Sequence, residues 1–237
     1  MRTMRIGIIG GTFNPIHYGH LNFAVEITEI FRLEKVIFIP TFISPHKDVK
    51  DVIEPHHRLK MTELAVESNP RFSVSPIEIE RKGFSYSIET INELKRIFDK
   101  EIELFFIMGI DAFLEVHTWK DVKRLFQSCN FIVSTRPSYR RDNFSDVILN
   151  FLREKYKDIQ FELLRDDEIS GTPKITISIS NYAIFAVKTT SLNISSTEIR
   201  KRISEGRTVK YLLPEKVENY IMDNKLYHTT KAISYNN

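Results

Sequence analysis

Apolar residues in the first half of the chain recur in two alternating rhythms. Short, nearly unbroken runs form the first: Ile6, Ile8 and Ile9, then Lys35–Pro40 (Lys-Val-Ile-Phe-Ile-Pro), Leu104–Met108 and Phe131–Thr135. Runs of this length and β-branched or aromatic content read as strands buried on both faces. The stretches between them have helical spacing. Leu21, Ala24, Val25 and Phe31 mark one helix, and Met61, Leu64 and Ala65 mark a second over His57–Ser68. Ile88, Ile91, Leu94 and Phe98 mark a third over Ser87–Asp99, and Asp121–Gln127 reads as a short fourth. Phe72–Ile79 reads as a strand whose alternation is broken at Pro76, which places it toward a sheet edge. This alternation predicts right-handed crossovers and a doubly wound parallel sheet of the α/β class.

The second half is less regular. Asn143–Tyr156 has a helical stripe of Phe144, Val147, Ile148, Phe151 and Leu152. Ile175–Val187 reads as a β-hairpin turning near Asn181, and Arg165–Lys174 as an exposed loop. The segment 138–191 carries the weakest pattern. A short basic helix is expected after Ser195, which fits a capping box with Glu198. Another follows Pro214, and the Leu226-Tyr227 end reads as plain packing. The expected organisation is one structural domain. It comprises a Rossmann-like nucleotide-binding core over 1–192 and a small C-terminal helical part over 193–237.

Composition narrows the classes. The chain has 237 residues, 42% hydrophobic and 27% charged, enough for a sizeable core. A net charge of +3 argues against bulk nucleic-acid binding and suits a local basic pocket for a small anion. The single cysteine, Cys129, rules out an internal disulfide and fits a reducing, cytoplasmic setting, with packing as its plain role. No apolar run approaches membrane-spanning length, and the N-terminal run is too short for a signal peptide. Met1–Thr3 add no pattern, so Met4 is a candidate start.

The chemistry concentrates at Gly10–His20, which reads Gly-Gly-Thr-Phe-Asn-Pro-Ile-His-Tyr-Gly-His directly after the first strand. Strand, glycine turn and helix start form a geometry that turns backbone N–H groups toward a phosphate. His17 and His20 add donors that can carry charge. The string lacks G-x-x-x-x-G-K-[ST] and G-x-G-x-x-G, so neither a P-loop nor an ordinary dinucleotide fingerprint is indicated. It also lacks H-E-x-x-H, and two histidines without a nearby carboxylate or thiol make a poor zinc site. A second cluster, Asn193–Arg200, offers hydroxyls and a forked guanidinium at a helix start. By itself that cluster also fits a well-capped surface helix.

Together with further motifs, the string resembles the T/H-x-G-H signature of the nucleotidyltransferase superfamily, and most closely bacterial nicotinate-nucleotide adenylyltransferases. The likeness runs through Pro45-His46-Lys47, Arg58 with Met61, Glu80–Ser87, Gly109-Ile110-Asp111, Trp119, Arg136-Pro137, Ile194–Arg200, Leu213–Val217 and Leu226-Tyr227. Family members commonly carry Asp where this chain has Asn14, and Thr where it has Ser87. The resemblance implies adenylyl transfer from ATP to nicotinate mononucleotide, with Mg²⁺ carried mainly by the ATP phosphates and no resident metal. It assigns His17, His20 and Arg200 to the triphosphate. Gly10, Gly11, Thr12, Phe13, Ser195, Ser196 and Thr197 would contact ATP. Lys47, Ser85, Tyr86, Ser87, Asp111, Trp119 and Arg136 would contact the mononucleotide. For Asp111 the plain alternative is a helix N-cap. Competing readings are a transferase for nicotinamide mononucleotide or another phosphate, and a non-catalytic nucleotide sensor. Homo-oligomerisation is compatible with the sequence; nucleic-acid and membrane partners are not expected.

Overall fold

The computed structural model describes residues 3–45, 52–98, 102–135, 144–164, 167–190 and 192–228. Among these, eight strands form one sheet: β1 (Met4–Gly11), β2 (Lys35–Pro40), β3 (Phe72–Val74), β4 (Ile102–Gly109), β5 (Asn130–Ser134), β6 (Phe161–Leu164), β7 (Lys174–Ile177) and β8 (Ala183–Val187). Their order across the sheet is β3-β2-β1-β4-β5-β8-β7-β6. The chain winds outward from β1 through β2 to β3, then crosses to β4 on the other side of β1. The topological switch point therefore lies between β1 and β4, where open α/β sheets bind ligands beyond the strand carboxyl ends.

Burial on both faces explains why the central strands read as apolar runs. Leu104, Phe106 and Met108 face one core, and Phe105 and Ile107 face the other. Helices α3 (Ile77–Arg81), α4 (Ser87–Phe98), α5 (Ile110–Leu114), α6 (Val122–Phe126) and α7 (Phe144–Lys155) contribute to the first core. A single 3₁₀ turn, Val116–Thr118, joins α5 to α6. On the opposite face lie α1 (Tyr18–Ile30), α2 (Pro55–Val66), α8 (Ser196–Ser204) and α9 (Glu215–Asp223). Ile199 and Ile203 of α8 and Val217 and Ile221 of α9 share that core with Ala24 and Ile27 of α1. The basic helix and its successor are thus packed against the sheet. Cys129 lies fully buried in the first core, and burial pushes its thiol up to about 12. That is the packing role its position implied.

Several boundaries differ from the sequence pattern. Phe72–Ile79 is not a continuous strand. Its last bond to β2 is Ser75 N–H to the Phe38 carbonyl at 2.9 Å; Pro76, at φ −80° and ψ 5°, then turns the chain out of the extended form, and α3 begins at Ile77. The expected edge position of β3 holds. The sheet is not wholly parallel: β7 pairs antiparallel with both β6 and β8, while β8 is parallel to β5. The short Ser178–Tyr182 link makes β7 and β8 a hairpin, since a parallel crossover needs a dozen residues or more. Strand β6 and helix α5 have no counterpart in the sequence reading. Val25 is exposed; the inner face of α1 consists of Ala24, Ile27 and Thr28, with Phe31 buried just past its end.

Gly7 shows how closely the second core meets the sheet. A Cβ there would lie 2.6 Å from Ile107 Cδ1 and 2.8 Å from Leu33 Cδ1. Gly7→Ala should therefore destabilise the protein by about 1–3 kcal/mol through overpacking. Urea denaturation of the variant checks this, and an unchanged midpoint and slope would contradict it.

Candidate active site

The carboxyl end of β1 passes through Thr12–Ile16 into α1. His17 takes extended backbone angles, φ −152° and ψ 171°, and caps the helix. Its N–H donates to His20 Nδ1 at 3.3 Å, and the two imidazoles stack with centroids 3.8 Å apart. Because Nδ1 accepts, neutral His20 carries its proton on Nε2, which makes that nitrogen a donor. His17 is buried and His20 half-buried. Phe13, buried and left-handed at φ 46°, sets its ring edge-on to His20 at 5.3 Å. The glycines of the motif serve different purposes. A Cβ on Gly11 would lie 2.9 Å from the Phe13 ring, and one on Gly19 2.9 Å from the His17 ring. At Gly10 the nearest atom would be Phe106 Cζ, 3.8 Å away. Two glycines make room for this chain's own rings, whereas Gly10 leaves the strand end accessible at the switch point.

Helix α8 comes to the same turn, as the sequence reading required. Arg200 Nη1 donates to the Asn14 carbonyl at 3.0 Å, across 186 positions of sequence. Ser196 Oγ donates to the Pro15 carbonyl at 2.8 Å, so its hydroxyl proton is committed to the turn rather than pointed at a phosphate. Ser195 caps α8, accepting from Glu198 N–H at 3.2 Å. The Glu198 carboxylate accepts from Arg202 Nε at 3.0 Å, in place of the return arm expected of a capping box. Thr197 is exposed in the first turn of the helix.

Two residues that the sequence reading gave no site role complete the turn. Arg58 of α2 is 1% exposed. Its Nη1 donates to the carbonyls of Thr12 (2.9 Å) and Thr41 (2.6 Å), its Nη2 to Phe42 (3.0 Å) and its Nε to Ile53 (3.0 Å). Burial lowers its pKa to about 10, which still leaves it charged at neutral pH. Tyr227 was expected only to pack. Instead its hydroxyl donates to Asn14 Oδ1 at 2.9 Å, because the chain past α9 folds back onto the glycine turn. Asn14 thus presents a neutral amide oxygen as the acceptor at this point of the turn. No local pattern could have revealed either contact.

The other half of the site lies along β4 and its neighbours. The Phe106 ring, 3.8 Å from the Cβ position of Gly10, meets Trp119 edge-on at 6.0 Å. Trp119 is half-buried against the first core. Lys120 lies over the Tyr86 ring at 4.4 Å and pairs with Glu89 at 2.7 Å. Ser85 N–H donates to the Ile43 carbonyl at 2.9 Å, and Ser85 Oγ accepts from Phe42 N–H at 3.0 Å. The Ser85 amide is therefore spent on the β2 loop and unavailable to a carboxylate, contrary to the expectation for this residue. Asp111 is exposed in the first turn of α5, but Gly109 is the N-cap, which removes the plain capping alternative. Lys47 and Arg136 lie outside the described residues, as do His46 and Pro137.

The described residues contain no group of three or more His, Cys, Asp or Glu side chains placed to hold a metal. No helix among them is long and apolar enough to cross a membrane.

Residues 8–202 match a family model described as cytidylyltransferase-like. The chain is 44% identical to a protein of Thermoanaerobacter sp. (strain X514), over 95% of each chain, named a probable nicotinate-nucleotide adenylyltransferase. It is 42% identical to a protein of the same name from Moorella thermoacetica, over 95% of this chain and 93% of that one. In fold it is similar to the Plasmodium falciparum nicotinic acid mononucleotide adenylyltransferase solved with NaAD, with a TM-score of 0.67 at 17% identity over 94% and 97% of the two chains. With its glycine turn, histidine pair and returning arginine at the switch point of a doubly wound sheet, this chain belongs to the cytidylyltransferase-like family and, within it, to the nicotinate-nucleotide adenylyltransferases.

Proposed function

We propose that the chain transfers the adenylyl group of ATP to nicotinate mononucleotide, giving deamido-NAD and pyrophosphate in NAD biosynthesis. One observation carries this reading beyond family membership. Arg200 is hydrogen-bonded to the same turn that positions His17 and His20, at the carboxyl end of β1. A basic donor set assembled there suits the triphosphate of a nucleotide.

The nucleophile is the phosphate of the mononucleotide. It is largely dianionic at neutral pH, since its second pKa is about 6, so no general base is needed. The barrier lies in bringing two polyanions together and in stabilising the charge that builds on departing pyrophosphate. Positioning and preorganised donors supply that stabilisation, with direct in-line attack and no covalent enzyme intermediate. His20 Nε2–H and the Arg200 fork face the phosphates, and the N-terminus of α8 adds backbone N–H groups near Ser196 and Thr197. Mg²⁺ enters as part of the MgATP substrate. A hard cation takes oxygen ligands, which phosphates and water provide and a stacked imidazole pair does not.

Trp119 offers an aromatic face to the pyridine ring. The nicotinate carboxylate is met by the Tyr86 and Ser87 amides at the start of α4, the Ser85 amide being engaged elsewhere. Asp111 contacts a ribose hydroxyl, and Lys47 and Arg136 complete the mononucleotide subsite by resemblance.

Incubation with MgATP and either pyridine mononucleotide, followed by identification of the dinucleotide, tests the reaction directly. Nicotinate mononucleotide should be preferred by at least about tenfold, the worth of one charge-assisted contact. Equal or better use of the amide would overturn the nicotinate assignment, and no dinucleotide from either would favour a nucleotide sensor. His20→Ala should lower kcat roughly 10²-fold while the fold survives, the usual cost of one transition-state donor. A near-normal kcat would return His20 to a structural role. Trp119→Ala should raise KM for the mononucleotide by about 10-fold or more while leaving KM for ATP nearly unchanged, as loss of one stacking partner costs roughly 1–3 kcal/mol. A large fall in melting temperature with both KM values intact would instead make it a core residue.

A further inference from the structure

Tyr227 sits where the chain bends back after α9. Lys225 and Tyr227 both hold left-handed backbone, at φ 52° and 64°. Side chains other than glycine tolerate that region at a cost, and such strain persists only where surrounding contacts enforce it. Here the result is a hydroxyl aimed at residue 14. Tyr227 Oη donates to Asn14 Oδ1 at 2.9 Å, and Ile53 N–H approaches the same oxygen at 3.5 Å. The main-chain carbonyl of Asn14 accepts from Arg200 Nη1 at 3.0 Å. One residue therefore receives Tyr227 on its side chain and Arg200 on its backbone.

The contacts on either side reinforce this arrangement. The Thr12 carbonyl is held by Arg58 and the Pro15 carbonyl by Ser196. Between those two fixed points, Asn14 is held by Tyr227. Burial raises the Tyr227 pKa, with Arg200 and Arg58 pulling the other way, so the hydroxyl stays protonated and remains a donor. Packing alone would be served equally well by a phenylalanine; the hydroxyl is what reaches the turn.

We propose that Tyr227 is a positioning residue for adenylyl transfer: through Asn14 it holds the Arg200 guanidinium and the Thr12–Pro15 turn in the orientation that receives the triphosphate. Without that hydroxyl, Asn14 loses its 2.9 Å side-chain donor, and the carbonyl that fixes one arm of the Arg200 fork is held less firmly. The inference rests on the adenylyltransferase reading and extends it to the last turn of the described chain.

The test compares wild type, Tyr227→Phe, Arg200→Lys and the double variant, with Tyr220→Phe as a control. Tyr220 lies in α9, and its hydroxyl contacts His57 Nδ1 at 2.8 Å rather than the turn. For each protein, kcat and both KM values are measured, together with melting temperature and the affinity for a non-hydrolysable ATP analogue. Tyr227→Phe should lower kcat/KM for MgATP about tenfold, the scale of one buried hydrogen bond. It should leave KM for the mononucleotide close to wild type and lower the melting temperature by no more than about 2–4 °C, the cost of one hydrogen bond. In the Arg200→Lys background the same change should have an effect of less than about twofold, since the residues act through one acceptor. Tyr220→Phe should match wild type. Wild-type kinetics in Tyr227→Phe would overturn the proposal, as would effects fully additive with Arg200→Lys. So would equal losses for both substrates accompanied by a larger fall in melting temperature. If the wild-type protein forms no dinucleotide, the adenylyltransferase reading fails, and analogue affinity then decides this inference separately. Tenfold weaker binding by Tyr227→Phe supports it, and equal binding refutes it.

Discussion

Four carbonyl oxygens converge on the Arg58 guanidinium, and the site is built around that convergence. Three come from loops at the strand ends: Thr12 after β1, and Thr41 and Phe42 after β2; the fourth is Ile53, just before α2. A guanidinium buried in this way is expensive unless its donors are met, and here all three nitrogens are engaged. Loss of the arginine would leave four carbonyls to find other partners. A lysine could not replace it, because a single ammonium lacks the planar fork that reaches several carbonyls in fixed directions. The buried cation also adds positive potential beneath the turn where phosphates would sit.

On this base the turn is shaped by rings and by missing side chains. Phe13 can lie beside His20 only because Gly11 has no Cβ, and the His17 ring occupies the space a Cβ on Gly19 would need. The histidine pair is thereby locked from two sides. Stacking sets the plane of His20, and the His17 N–H sets its tautomer. An electrostatic catalyst benefits from such rigidity, since donors already oriented need no reorganisation when charge develops.

The two halves of the candidate site are joined through the sheet. Phe106 of β4 reaches the face of Gly10 on one side and the edge of Trp119 on the other. Since β1 and β4 are adjacent with Ile8 opposite Phe106, the glycine turn and the aromatic wall keep a fixed spacing. The Ile43–Phe84 bridge and the Ser85 bonds to Phe42 and Ile43 tie the start of α4 to the end of β2. The strand ends thus hold the glycine turn and the aromatic wall on a common frame.

Much of this was legible in the residues. Strands β1, β2, β4 and β5 are buried on both faces and so appear as apolar runs, and α4 and α7 have one buried face and so appear as stripes. The Gly10–His20 string marked the strand–turn–helix junction of the candidate site, because glycine, histidine and a helix start declare themselves over a few residues. Features set by short or mixed signals did not show. Strand β6 spans only Phe161–Leu164 with Glu162 exposed, α5 is a single turn held by Gly109, and α3 begins where Pro76 stops a pattern that otherwise continues as strand. What only the tertiary structure decided is which distant groups meet. Arg58, Arg200 and Tyr227 reach the turn across 46, 186 and 213 positions, and Ser196 and Ser85 spend their polar groups on backbone partners that no local spacing encodes. Sequence by itself determined the periodicities and the reactive residue types, because those depend on neighbours along the chain. Side-chain partners depend on strand order and reach across the carboxyl edge of the sheet, and these exist only once the chain has folded.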